Sequence, residues 1–249
     1  MLNINYLRGI NFKKTLPENS YLNNLPIIKF LNVNETLAFN SPVTFLVGEN
    51  GTGKSTLLEA IAIALGFNPE GGSMNFTFST NDSHSELWQH IDTLKSFAPR
   101  DGFFLRAESV YNLASDIDEM DKAPSFDPPV IEGYGGLSLH HQSHGESFLS
   151  IVQNRFFGKG LYILDEPESA LSPLKLMTLL VEIDRLVKDN SQLIIATHSP
   201  VLMAYPNAEI LELSDSGIKK TAYSNTEHYK ITKSFLDNPQ RMIELLLKE

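Results

Sequence analysis

The chain has 249 residues, 42% of them apolar and 20% charged, which excludes wholesale disorder and allows one large domain or a domain with an inserted lobe. Cysteine is absent, so disulfides and thiolate metal sites are excluded, and no apolar run approaches the roughly 20 residues of a membrane-spanning helix, so no direct membrane insertion is expected. The formal net charge of −10 does not indicate a broad nucleic-acid-binding face, although it leaves room for a local basic groove.

In chain order, Met1 to Asn5 lacks the basic start and apolar run of a signal peptide, so a cytoplasmic protein is expected. Val43-Thr44-Phe45-Leu46-Val47, preceded by Pro42 and ended by Gly48, reads as a buried strand. From Lys54 to Leu65 the apolar residues keep helical spacing, and Gly66 supplies the stop. From Asn68 to Pro129 the chain is richer in Gly, Ser, Asp and Pro and its periodicity is poorer, which predicts a helical lobe with long loops. Within that stretch Phe103-Phe104-Leu105-Arg106 is a strand candidate, and Leu161 to Leu164 and Leu193 to Ala196 read as core strands. Between these two, Ser172 caps and Pro173 opens a helix whose apolar stripe runs through Leu176, Leu179, Leu180, Ile183, Leu186 and Val187. A strand pair (Glu209 to Leu213, Ile218 to Tyr223) and two helices, the second opened by Asn238-Pro239, complete the chain.

Strand–helix alternation of this kind predicts an α/β fold with a largely parallel sheet flanked by helices. We expect a single domain over 1–249, with its core in about 1–67 and 155–249 and a small helical lobe in about 68–154.

Gly48-Glu49-Asn50-Gly51-Thr52-Gly53-Lys54-Ser55-Thr56 fits G-x-x-x-x-G-K-[ST], the Walker A pattern, and it sits between a strand and a helix as that motif requires. Glycines let successive N–H groups turn inward at phosphate oxygens, and the helix that follows adds its positive dipole end. Gly48, Asn50, Gly51, Gly53, Lys54, Ser55 and Thr56 are therefore the expected ATP contacts of this loop. Lys54 would reach the β- and γ-phosphates and Ser55 would ligate Mg²⁺. Leu161 to Glu166 is an apolar strand ending in two carboxylates, the Walker B form: Asp165 would hold Mg²⁺, and Glu166 would orient and deprotonate the attacking water. His198 follows a third strand and would bond the γ-phosphate or that water.

These residues resemble the ABC ATPase superfamily over nearly the whole chain. The wording is most similar to a bacterial group of small stand-alone ATPases, known broadly as AAA family ATPases, related to the heads of SMC-type and RecF-type DNA-repair proteins. The most specific pieces are Gly48 to Thr56, Ser143-His144-Gly145-Glu146-Ser147, Asp165 to Ser172 and Thr197-His198-Ser199. The resemblance implies a P-loop NTPase fold in which the helical lobe carries a signature motif, placed on Ser143, Gly145 and Glu146. Gln142 and His144 depart from the family's Leu and Gly. In family dimers that motif closes on the ATP held by the other subunit, so Ser143, Gly145 and Glu146 are expected ATP contacts of a homodimer. Ser169 to Ser172 resembles the D-loop. No glutamine follows the Phe103 strand where the family's Q-loop begins, and Glu108 is the expected substitute as a metal ligand. The stretch from Ser55 to Ser143 is too short for the coiled-coil insertion of SMC-type relatives. His140, His141 and His144 raise a zinc reading, against which stand the lack of cysteine and of carboxylates at ligand spacing.

The leading expectation is an ATPase whose two copies pair around two Mg-ATP molecules and act on an unknown partner protein, in DNA repair or phage defence. The rivals are the cytoplasmic motor subunit of a transporter and an ATPase regulator of a toxin or nuclease partner. A simple nucleotide kinase shares the loop but leaves Asp165, Glu166 and His198 unexplained.

Overall fold

Three strands, β3 (Val43–Val47), β6 (Gly160–Asp165) and β7 (Gln192–Ala196), are buried at every position. Such continuous apolar runs belong in a parallel sheet covered on both faces. The computed structural model, which describes residues 5–13, 16–73, 85–122, 124 and 126–248, builds that sheet in the order β5-β6-β7-β3-β8-β9. Here β5 is Asp101–Arg106, β8 is Glu209–Ser214 and β9 is Gly217–Thr221. All neighbours are parallel except the β8–β9 hairpin. The expected ladder ran to Tyr223, but Tyr223 opens a 3₁₀ turn instead.

The pleat sorts the strand residues between two cores. Phe45, Val47, Phe103, Leu105, Tyr162, Leu164, Leu193 and Ile195 face α3 (Val110–Lys122), α4 (His144–Arg155) and α5 (Pro173–Lys188). Leu46, Phe104, Leu161, Ile163, Ile194 and Ala196 face α1 (Pro26–Asn34) and α2 (Lys54–Leu65). Truncating one of these buried side chains to alanine costs about 2–5 kcal/mol, a large share of a domain's net stability.

A second, antiparallel sheet in the order β2-β1-β4 covers the outer side, from β1 (Leu7–Phe12), β2 (Thr36–Ala38) and β4 (Ile91–Lys95). Sequence patterning did not predict it. It is tied to the main sheet by buried Gln192, whose amide accepts from the Leu7 N–H at 2.9 Å and donates to the Leu7 carbonyl at 2.8 Å.

The expected lobe over about 68–154 needs correction at its first half. Residues 74–84 lie outside the described residues, but β4 and β5 fall inside the range and belong to the two sheets. Phe103, Phe104 and Leu105 are buried between flanking layers, so burial on both faces overrides the polar composition around them. The helical part is α3 to α4, joined by 3₁₀ turns. The C-terminal helices form as expected: α7 (Glu227–Asp237) and α8 (Pro239–Leu246), with Asn238 capping the second. A short helix, α6 (Pro200–Met203), follows β7. Among the described residues no helix is long and apolar enough to cross a membrane.

Candidate active site

In an open parallel sheet the carboxyl ends of the strands share one edge, and ligands gather beyond it. Here that edge collects the loop after β3, the acids after β6 and Thr197-His198-Ser199 after β7. Backbone bonds across the strand ends fix their relative height: Thr197 N–H donates to the Leu46 carbonyl at 3.1 Å, and Glu166 N–H to the Ala196 carbonyl at 3.0 Å.

The loop has the shape its glycines allow. Gly48 has φ 148°, and a Cβ there would collide with the Leu213 carbonyl. Gly53, at φ 89°, caps α2 without a side-chain bond, so the first N–H groups of the helix at Lys54, Ser55 and Thr56 are open to an anion. Lys54 is only 4% exposed and arches back over the loop, donating to the Gly48 carbonyl at 2.8 Å and the Glu49 carbonyl at 3.1 Å. Burial pushes its ammonium below the usual lysine range, opposed by the carboxylates of Glu166, Asp165 and Glu168. Asn50 and Gly51 are exposed at the loop tip, and Thr56 is half-buried in the first turn of α2.

Ser55 joins this loop to the acidic strand end, its hydroxyl donating to Asp165 Oδ1 at 3.0 Å. Asp165 is 5% exposed, and burial raises its carboxyl to about 6 against the opposing pull of Arg106 and Ser55. Arg106 sits beside it in register across β5 and β6, with Nε 3.6 Å from Asp165 Oδ2. The same guanidinium bonds Glu59 at 3.1 Å and Glu108 at 2.6 Å. Ser55, Arg106, Glu108, Asp165, Glu166 and Ser169 line one cavity of about 120 Å³. The three expected metal ligands, Ser55, Asp165 and Glu108, are therefore brought together, but Glu108 is largely exposed and its carboxylate is engaged by Arg106 rather than by the Ser55–Asp165 pair. An oxygen-only donor set fits Mg²⁺, a hard cation held through one or two carboxylates and substrate phosphates. The raised Asp165 carboxyl fits too, because a further cation would relieve a buried anion.

Glu166 is a non-glycine residue in the left-handed region, with φ 46° and ψ 54°, a conformation that concentrates at functional sites. Its Oε1 lies 3.5 Å from His198 Nε2. Glu168 sets the histidine loop, accepting from the Thr197 hydroxyl at 2.7 Å and from the His198 N–H. His198 Nδ1 is 2.9 Å from His228 Nε2 on α7. Sequence reasoning gave no role to Arg106, Glu168 or His228. Glu168 is signalled by its place two residues after Glu166, and Arg106 by closing a strand opposite the acid pair. Nothing local marks His228, which is 30 residues from its partner in the chain.

The signature segment lies apart. Ser143 caps α4, and Glu146 accepts from the Ser143 N–H at 2.9 Å and from its hydroxyl at 2.6 Å, a complete capping box. Gly145 is buried where this turn packs on the loop after β6, so closely that a Cβ there would stand 2.8 Å from the Ala170 carbonyl. Among the described residues no hydrogen bond or ion pair joins Ser143, Gly145 or Glu146 to Gly48–Thr56 of the same chain. Within one chain the Glu146 carboxylate holds the helix start; the expected contact of Ser143, Gly145 and Glu146 is with nucleotide held by a second copy. His140 packs edge-on against Tyr111 with centroids 4.7 Å apart, and among the described residues no group of three or more acids and histidines is arranged to hold a metal.

Comparison with known proteins agrees with this architecture. Residues 22–100 match one AAA-domain family, and residues 132–204 match another, described as "AAA domain, putative AbiEii toxin, Type IV TA system". The first contains the Gly48–Thr56 loop, the second Ser143, Asp165, Glu166 and His198. No curated protein sequence matches the chain. Among solved structures it is similar to cbiO1 from Clostridium perfringens, part of the ABC transporter complex cbiONQ, at 16% identity and TM-score 0.51, covering 96% of this chain and 99% of that one. An ATP-binding cassette of an ABC transporter aligns at 14% identity and TM-score 0.52, covering 98% of this chain and 100% of that one. The fold is that of the ABC-type P-loop ATPases, and the AAA-domain matches support an ATPase of this type.

Proposed function

We propose that this chain binds Mg-ATP at the Gly48–Thr56 loop and hydrolyses it to ADP and phosphate between two head-to-tail copies, as a cytoplasmic switch driven by ATP. The observation that carries this reading is the Ser55–Asp165 bond, which places a phosphate-type loop against a buried acid, with Glu166 and His198 beside them on the same strand edge. In this reading Lys54 and the α2 N-terminus hold the phosphates, Ser55 and Asp165 hold Mg²⁺, and Glu166 takes a proton from the attacking water. Mg²⁺, when bound, would neutralise charge on the phosphate oxygens. Ser143 and the N–H groups at the start of α4 form an anion site for the partner's nucleotide. Its exposure and its separation from the loop of its own chain support that assignment in trans.

A partner-directed role in DNA repair or phage defence is our wider reading. Regulation of a toxin or nuclease is the second reading, favoured by the match of residues 132–204 to a family described by a toxin system. The transporter reading rests on likeness of fold.

Pairing is testable directly. Glu166→Gln with ATP should sediment as a dimer and without ATP as a monomer, and turnover per wild-type subunit should rise with protein concentration. Ser143→Arg should abolish both effects while leaving ATP binding intact. Mixing Ser143→Arg with Lys54→Ala should restore some activity, because one hybrid site keeps an intact loop and an intact signature. A monomer with concentration-independent turnover and no rescue on mixing would end the dimer reading.

A further inference from the structure

α7 is held to the domain at one end. Thr226, which is fully buried, caps it, donating to the Tyr223 carbonyl at 2.8 Å and accepting from the Tyr229 N–H at 3.3 Å. From Lys230 to Lys248 every residue except Met242 is exposed. The anchored first turn carries His228, and that ring reaches the strand edge: its Nε2 is 2.9 Å from His198 Nδ1, with centroids 5.0 Å apart.

Two imidazole nitrogens at that distance share one proton, so one ring donates and the other accepts. The direction follows from the other end of His198. Its Nε2 has no hydrogen-bond partner at normal length and lies 3.5 Å from Glu166 Oε1, an oxygen that only accepts when ionised. If His198 donated from Nδ1, its Nε2 lone pair would face that carboxylate. If His228 donates from Nε2, His198 carries its own proton on Nε2 and presents it to Glu166. Burial, and then Lys54 and His228, hold His198 below the usual histidine range, so the neutral ring is the relevant one.

We infer that His228 is a positioning residue: its Nε2–H fixes His198 as the Nε2–H tautomer and so aims a donor at Glu166 and the edge where the terminal phosphate of ATP would lie. The inference rests on the proposed hydrolysis and adds a control point to it, because displacement of the exposed α7–α8 hairpin would remove the donor from His198.

The test uses the full chain labelled with ¹⁵N-histidine. His198 should show the Nε2–H tautomer in the wild type and lose it in His228→Ala. In the same variant kcat should fall roughly 10- to 100-fold, the usual cost of removing a residue that orients a functional histidine. Calorimetric ATP affinity should stay unchanged. His228→Gln, whose amide can still donate, should recover most of the rate and the tautomer. An unaltered His198 spectrum and kcat in His228→Ala would overturn the inference, as would a rate in His228→Gln as low as in His228→Ala. A wild-type protein that binds ATP without turnover would sink the hydrolysis reading alone, and the nitrogen spectrum would still decide the tautomer.

Discussion

Glu166→Gln should bind ATP normally and lose roughly 10²- to 10⁴-fold in turnover, the usual worth of a general base. The geometry distinguishes this acid from its neighbours. Asp165 is buried and bonded to Ser55, and Glu168 is occupied by the Thr197 hydroxyl and the His198 N–H. Glu166 alone of the three has a side chain about two-fifths exposed at the edge, 3.5 Å from His198. Steady-state phosphate release and equilibrium binding, measured on one preparation, separate loss of chemistry from loss of binding. Turnover within a few-fold of the wild type would move the base elsewhere, His198 and Glu108 being next in line.

Lys54→Ala should weaken ATP binding by about 1.5–3 kcal/mol, the range for a hydrogen bond to a charged group, or roughly 10- to 150-fold in Kd. The ammonium also ties the Gly48 and Glu49 carbonyls together, so part of the loss reflects a loosened loop. Lys54→Met, which keeps the buried stem but not the charge, should lose nearly as much. Unchanged calorimetric affinity in both variants would refute the assignment of this loop to phosphate. Thermal unfolding without nucleotide should change far less than affinity, since the loop lies at the edge of both cores.

Much of this was legible locally. The strand before Gly48, the helix from Lys54 to Leu65 and the cap at Ser172 follow from periodicity and capping chemistry, which act over a few residues. The G-x-x-x-x-G-K-[ST] spelling and the acid pair were equally readable, because their chemistry requires fixed residue types at fixed spacing. The β2-β1-β4 sheet was not readable, since its strands are short, half-exposed and paired across long gaps in the chain. The strand at Phe103 to Arg106 was readable from its own residues, whereas β4 was not, because its pairing with β1 decides it whatever its local composition.

By itself the sequence determined the phosphate-type loop, the acid pair after β6, the histidine after β7 and the largely parallel α/β order, each set by local chemistry. Only the tertiary structure decided which groups share the strand edge: Ser55 on Asp165, Arg106 across Asp165, Glu168 under the histidine loop and His228 behind His198. The physical reason is the same in each case. A side chain's partner is chosen by how strands register and helices pack, over separations of tens to more than a hundred residues, and no local pattern encodes that distance.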